Sequence, residues 1–139
     1  MRLADSIEEA GADLRFCWYG ARALLSMRLE KGWGVWTMEY RPDFNAVESG
    51  MDVFINWKKD FIGKEATLTA RNEGVSQKLL TMVIDTDGID VVHDEAILKD
   101  GTPVGYVSSG GYAHHVGQSM AMGYVCLLYT SPSPRDLST

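Results

Sequence analysis

The sequence predicts an α+β fold, with helices and short extended pieces up to residue 74 and antiparallel strands and turns after it. Three observations carry this. Apolar residues recur at helical spacing in the first half, as in Leu3, Ile7, Ala10 and Leu14. From residue 78 on, the apolar runs are rich in β-formers and are punctuated by Asp100-Gly101 and Gly110-Gly111. The change of character falls near residues 72–77, in a chain of 139 residues, a length that suits one domain or part of a larger protein.

In order along the chain, residues 3–14 read as an amphipathic helix with Glu8, Glu9 and Asp13 off the apolar face, although Gly11 interrupts it. Ala21, Leu24, Leu25 and Met27 form a second helix that ends before Gly32. Trp33, Val35 and Thr37 alternate with Gly34, Trp36 and Met38, which predicts an extended piece closed by a turn at Arg41, Pro42 and Asp43. Met51 to Trp57 reads as a strand. A third helix is expected to start from Asp60 as N-cap, to carry Ile62, Ala66 and Ala70, and to end at Asn72 and Gly74. Leu79 to Ile84 is a strand, Ala96–Leu98 and Val104–Val107 form a hairpin through Asp100-Gly101, Gly110-Gly111 makes a turn, and Met120 to Val125 is the last strand.

Composition excludes several function classes. Thirteen Lys and Arg stand against 19 Asp and Glu, and the net charge of -6 has the wrong sign for gripping nucleic-acid phosphates. No apolar run approaches the roughly 20 residues of a membrane span. Two cysteines, Cys17 and Cys126, make neither a disulfide framework nor a zinc site, and no signal peptide opens the chain, so a cytoplasmic setting is expected. Residues 126–139 form a polar tail in which Cys126 to Asp136 read, codon for codon, as a translated transposon-end sequencing adapter; we therefore expect an artefactual tail and a barrel cut short at residue 125.

The residues themselves suggest little catalysis. His93, His114 and His115 lack partners at metal-ligand spacing, and the last two fit an exposed hairpin end. Cys17, beside Trp18 and Tyr19, reads as a small buried hydrophobe. No GxGxxG or GxxxxGK[ST] loop is present to cradle a nucleotide, nicotinamide or flavin. The densest signal is Met27-Arg28-Leu29-Glu30-Lys31-Gly32-Trp33-Gly34-Val35-Trp36. Here Arg28 could fork onto a carboxylate and an indole could stack on a heterocycle, or Arg28 could pair structurally with Glu30 or Glu48 while both indoles fill the core.

That block, together with Asn45 to Met51, Asp60-Phe61-Ile62-Gly63-Lys64-Glu65-Ala66, Val107 to Tyr112 and Gln118 to Val125, resembles the aminomethyltransferase family, which includes the glycine-cleavage T-protein. The wording of the Met27 and Asp60 blocks is similar to the folate-side part of dimethylglycine and sarcosine dehydrogenases. The resemblance implies that residues 1–74 end a mixed α/β folate-binding domain and that 75–125 are an incomplete antiparallel C-terminal β-barrel. It also implies tetrahydrofolate as cofactor, a small methylated amine as substrate, and FAD only in an upstream flavin domain in cis. In that chemistry the amine is oxidised to an iminium at the flavin and the folate amine captures the carbon, a step served mainly by orientation. By the same resemblance Arg22, Arg28, Glu30 and Glu48 are the candidate folate-binding residues, with Leu24 standing where the T-protein has a folate-contacting Arg. No catalytic residue is assigned, because the family's acidic groups near the folate amine come from further upstream, and the segment alone is expected not to turn over. A glycine-cleavage T-protein or a sulfonium demethylase of the same fold is the alternative reading, as is a non-catalytic cap contacting a flavin domain. The Lys-Gly-Cys-Tyr type of motif that marks the iron-sulfur-assembly relatives does not occur.

Overall fold

The computed structural model describes residues 2–127. The expected adapter-derived tail therefore lies, from residue 128 on, outside the described residues.

The first helix, α1, covers Leu3–Gly11 and passes into a 3-10 turn at Ala12–Leu14. Gly11 closes the helix because its bare Cα face is where the Phe16 side chain packs, and a Cβ there would collide with it. The segment after it runs over the outside of the protein, with Phe16 edge-on to Trp18 and the Trp18 indole N–H donating to Glu8. Cys17 is consequently exposed, not the buried hydrophobe its apolar neighbours suggested.

The second helix, α2 (Ala21–Glu30), lies against the sheet and buries a single residue, Leu29. The extended piece expected over residues 32–38 is absent. The chain there curls around a buried carboxylate: Glu39 accepts the Val35 N–H at 2.8 Å, and the Val35 carbonyl accepts the amides of Met38, Glu39 and Tyr40 at 3.1–3.2 Å. Both indoles of the block remain outside the core, Trp33 46% and Trp36 72% exposed. The turn at Arg41-Pro42-Asp43 is present, closed by the Phe44 amide on the Arg41 carbonyl and an Arg41–Asp43 ion pair at 2.6 Å. Met51 to Trp57 is likewise no strand. The Ala46 carbonyl takes both the Met51 and Asp52 amides, at 2.8 and 3.1 Å, and Asp52–Phe54 winds into a 3-10 turn.

The third helix, α3, covers Lys64–Glu73 and stops at Gly74 as expected. Its start differs: Gly63, at φ 85°, is the N-cap, and Asp60 instead pairs with Lys64 at 3.2 Å one turn on. Ile62 falls outside the helix and is fully exposed.

After residue 76 the chain forms a four-stranded antiparallel sheet from β1 (Gln77–Ile84), β2 (Ala96–Lys99), β3 (Thr102–Ala113) and β4 (Gln118–Cys126), in the order β1-β4-β3-β2. The β2–β3 hairpin turns at Asp100 and Gly101, both at positive φ (52° and 77°), which matches the twist of the strands it joins. Gly110 and Gly111 do not turn. They lie inside β3, where the Val91 carbonyl oxygen rests so closely on Gly110 that any Cβ would clash. The reversal comes later, at residues 114–117, with His114 and His115 exposed at the hairpin end as their setting suggested. Leu29 packs with Ala113, Met120 and Met122, and Leu79 lies against them, so α2 and the inner strands share one core.

Candidate binding cleft between the second helix and the sheet

A cleft of about 630 Å³ opens between α2 and β3. Leu25 and Leu29 come from α2, Met38 from the curled segment, Tyr112 from β3, and Asp90, Val92 and His93 from the connection between β1 and β2. Its size and mixed apolar and charged lining suit a small-molecule site. Arg22 lines it from the exposed first turn of α2 and forms no ion pair among the described residues.

Arg28 also lines the cleft, but its guanidinium is turned to the interior, with 9% of the side chain exposed. One amino group meets Glu39 at 3.0 Å and the Trp33 carbonyl at 3.3 Å; the other donates to the Ser109 hydroxyl at 2.6 Å. Glu39 is completely buried. Its carboxylate accepts hydrogen bonds from Ser109, from Ser108 at 2.7 Å and from the Val35 amide, while its carbonyl accepts the Tyr124 hydroxyl at 2.9 Å. Burial alone would push the Glu39 pKa up; the hydrogen bonds from Ser109, Val35 and Ser108 and the charge of Arg28 outweigh it and hold the group below its ordinary value. Burial raises the Tyr124 hydroxyl well above the ordinary tyrosine value. This network joins the segment around α2 to β3 and β4.

The four sequence-derived candidates are thus divided. Arg22 and Arg28 come to the cleft. Glu30 instead accepts the His115 amide at 2.9 Å and fastens the end of α2 to the β3–β4 turn. Glu48 accepts the Asn45 amide at 2.8 Å and the Gln77 side chain at 3.2 Å, and its carbonyl takes the Leu79 amide at 2.8 Å, so it ties the 45–50 loop to β1. The Arg28 partner is neither Glu30 nor Glu48 but Glu39. A lone carboxylate among Val35, Trp36, Met38 and Tyr40, and a Ser108-Ser109 pair inside an otherwise apolar strand, are the sequence features that could have pointed to it. His93 donates its Nδ1–H to the Ser108 carbonyl at 2.6 Å, and its Nε2 lies 3.2 Å from Asp94. Ser109 lines the cleft with its hydroxyl held between the Arg28 guanidinium and the Glu39 carboxylate, and the lining as a whole is suited to binding and orienting a ligand.

The comparisons with known proteins agree with this architecture. The family description "GCVT N-terminal domain" matches residues 1–59, and "Glycine cleavage T-protein C-terminal barrel domain" matches 77–134. Human mitochondrial dimethylglycine dehydrogenase is 34% identical over 125 residues, 88% of this chain and 14% of that protein. The aminomethyltransferase of Halothermothrix orenii is 32% identical over 122 residues, 87% of this chain and 34% of that protein. In fold, the glycine cleavage system aminomethyltransferase T of Bartonella henselae superposes with a TM-score of 0.82 at 24% identity, over 93% of this chain and 37% of that one. The chain therefore spans about a seventh of the dehydrogenase and about a third of the aminomethyltransferase. With α2 from the first matched region and the antiparallel sheet from the second closing on one cleft, the chain belongs to the glycine-cleavage T-protein, or aminomethyltransferase, family.

Proposed function

We propose that this chain is the part of a tetrahydrofolate-dependent one-carbon transfer protein in which the end of the folate-binding domain (1–74) meets the C-terminal barrel (75–125). The whole protein would be a flavin-dependent demethylating dehydrogenase of the dimethylglycine or sarcosine type, with the flavin domain elsewhere, in the cytoplasm. The observation that carries the reading is the α2–β3 cleft, built jointly by the two family-matched regions. Its residues fit a folate. Leu25, Leu29, Met38 and Val92 offer apolar contact to flat rings, Tyr112 offers an aromatic face, and Arg22 is an uncommitted cation for a carboxylate. Folate, when bound, supplies the amine that accepts the carbon; the chain's own side chains hold and orient it.

Titrating tetrahydrofolate into the chain and following tryptophan fluorescence should give saturable binding. Arg22→Ala should weaken it about tenfold, the worth of one charge-assisted hydrogen bond, with Tm unchanged because Arg22 is exposed. Absence of saturable binding to the unaltered chain overturns the reading. The structural-cap alternative has one observation in its favour, the interior bonds of the two Arg28 amino groups to Glu39, Ser109 and the Trp33 carbonyl, although its Nε is buried without a partner. For Arg28→Ala we therefore expect a lower Tm as the primary effect.

A further inference from the structure

One wall of the cleft is the irregular connection between β1 and β2. Residues 85–95 form no strand, yet Asp90, Val92 and His93 line the cleft from it. Two backbone bonds hold the far end of the connection: the Asp94 amide donates to the Val107 carbonyl at 2.9 Å, and the Val107 amide to the Glu95 carbonyl at 2.8 Å. Asp94 lies at φ 70°, in the left-handed region, so an extended run along β3 does not continue back through it. The Val92 amide donates within the connection itself, to the Glu95 carboxylate at 3.1 Å. Two contacts seat the residues before Asp94 on β3: the Val91 carbonyl against Gly110, and the His93 ring.

The strand is irregular where it receives that ring. In the pairing of β3 with β4, Val107 faces Gly123 and Ser109 faces Met122, which are consecutive residues, so Ser108 is an extra residue, a β-bulge. Bulges interrupt the ladder and re-aim the groups of the extra residue. The Ser108 hydroxyl turns inward, 2.7 Å from the Glu39 carboxylate and 3.1 Å from the Met122 carbonyl. Its carbonyl takes the His93 Nδ1 at 2.6 Å. A carbonyl only accepts, so Nδ1 is the nitrogen that carries the proton. Ser108 is 1% exposed, which shields the bond on the serine side, and a hydrogen bond kept from water is stronger than one in it.

We propose that His93 is a positioning residue of this cleft: its Nδ1–H, taken by the carbonyl of the bulged Ser108, sets where Asp90 and Val92 stand relative to α2 and so fixes the width of the binding space. The same two-serine step carries both walls. The hydroxyls of Ser108 and Ser109 hold Glu39 and Arg28 on the α2 side, while the Ser108 carbonyl holds the connection. The other ring nitrogen, Nε2, faces Asp94 at 3.2 Å, but these side chains are 52% and 77% exposed, and an ion pair so open to solvent adds little. The positioning therefore comes from Nδ1. Where the ligand is tetrahydrofolate the inference rests on the folate reading; the seating of the wall is independent of it.

Two readouts test it, one without ligand and one with. In hydrogen exchange followed by mass spectrometry, His93→Ala should speed exchange over residues 88–92. In the fluorescence titration it should weaken tetrahydrofolate binding about three- to tenfold, the range of one hydrogen bond. His93→Asn, whose amide nitrogen stands at the place of Nδ1 and can donate, should restore both; His93→Gln, whose amide reaches toward the place of Nε2, should restore neither. Asp94→Asn removes only the exposed ion pair and keeps a residue type that tolerates positive φ, so it should leave affinity within about twofold. His93 and Asp94 are both exposed, which keeps these variants folded. Unchanged exchange in His93→Ala, equal rescue by Asn and Gln, or a loss in Asp94→Asn as large as that in His93→Ala overturns the proposal. If tetrahydrofolate does not bind the unaltered chain, the folate reading falls, and the exchange of the His93 variants still decides the role of this residue.

Discussion

Replacing Glu39 by Ala is expected to lower the unfolding free energy by about 3–5 kcal/mol, because it strands the Arg28 guanidinium in the interior. The size follows from the burial of both partners, with side chains 9% and 0% exposed. An exposed pair would be worth well under half as much. The loss extends beyond the ion pair, since Ser108, Ser109 and the Val35 amide all donate to the same carboxylate and would be left facing a void. The control is Glu39→Ala combined with Arg28→Met, which removes both charges and should recover much of the stability of the single variant. Urea unfolding monitored by tryptophan fluorescence measures all three chains. A loss below about 1 kcal/mol for the single change would mean that the network contributes no more than a surface pair.

The same carboxylate makes stability depend on pH, with a definite sign. Glu39 has a lowered pKa in the folded protein, so the folded state holds its proton less tightly than the unfolded chain does. Its contribution is complete above the unfolded glutamate value of about 4.3 and is lost as pH falls through the lowered folded value. Unfolding midpoints in urea should therefore fall on going from pH 6 to pH 3, and Glu39→Gln should flatten that portion of the profile. An unchanged slope in Glu39→Gln would assign the acid sensitivity to other carboxylates.

How far the sequence could be read depended on the range of the interactions that decide each element. The hairpin at Asp100-Gly101, the stop of α3 at Gly74, the strand at residues 79–84 and the last strand at 120–125 are set by local turn chemistry and periodicity, and all of them are found. The expected extended pieces at 32–38 and 51–57 fail for one reason. Alternation describes a strand only where a partner strand exists, and here the backbone satisfies itself instead, around Glu39 and at the Ala46 carbonyl. Gly110-Gly111 looked like a turn because glycines are common in turns; Gly110 is required by the close approach of Val91, a contact 19 residues away that no local rule anticipates. The cleft was legible in part. Arg22 and Arg28 were singled out and both reach it, whereas Glu39 was missed because its importance comes from Ser108, Ser109 and Tyr124, some 70 to 85 residues downstream.

Leu29→Ala is expected to cost about 2–5 kcal/mol and, unlike the Glu39 change, to alter the cleft directly. Leu29 is 3% exposed and is the single buried residue of α2. Its neighbours Ala113, Met120 and Met122 belong to β3 and β4, and it lines the cleft as well as the core. Truncation therefore leaves a cavity under the helix at the point where it is anchored, and the flexible methionines can close only part of it. Two of the hydrogen bonds that also hold α2 to the sheet, Ser26 to the Tyr112 carbonyl at 2.9 Å and the His115 amide to Glu30, are exposed and cannot replace that anchor, and the buried Arg28–Ser109 bond fills none of the volume that Leu29 leaves. Two measurements should move together: the urea midpoint, and tetrahydrofolate binding, which should weaken because Leu25 and Arg22 ride on the same helix. Leu29→Met, close in volume and apolar, should restore stability to within about 1.5 kcal/mol and restore binding with it. If Leu29→Ala lost stability while binding stayed intact, the cleft would not depend on how α2 sits on the sheet, and the folate reading would lose the geometry that supports it.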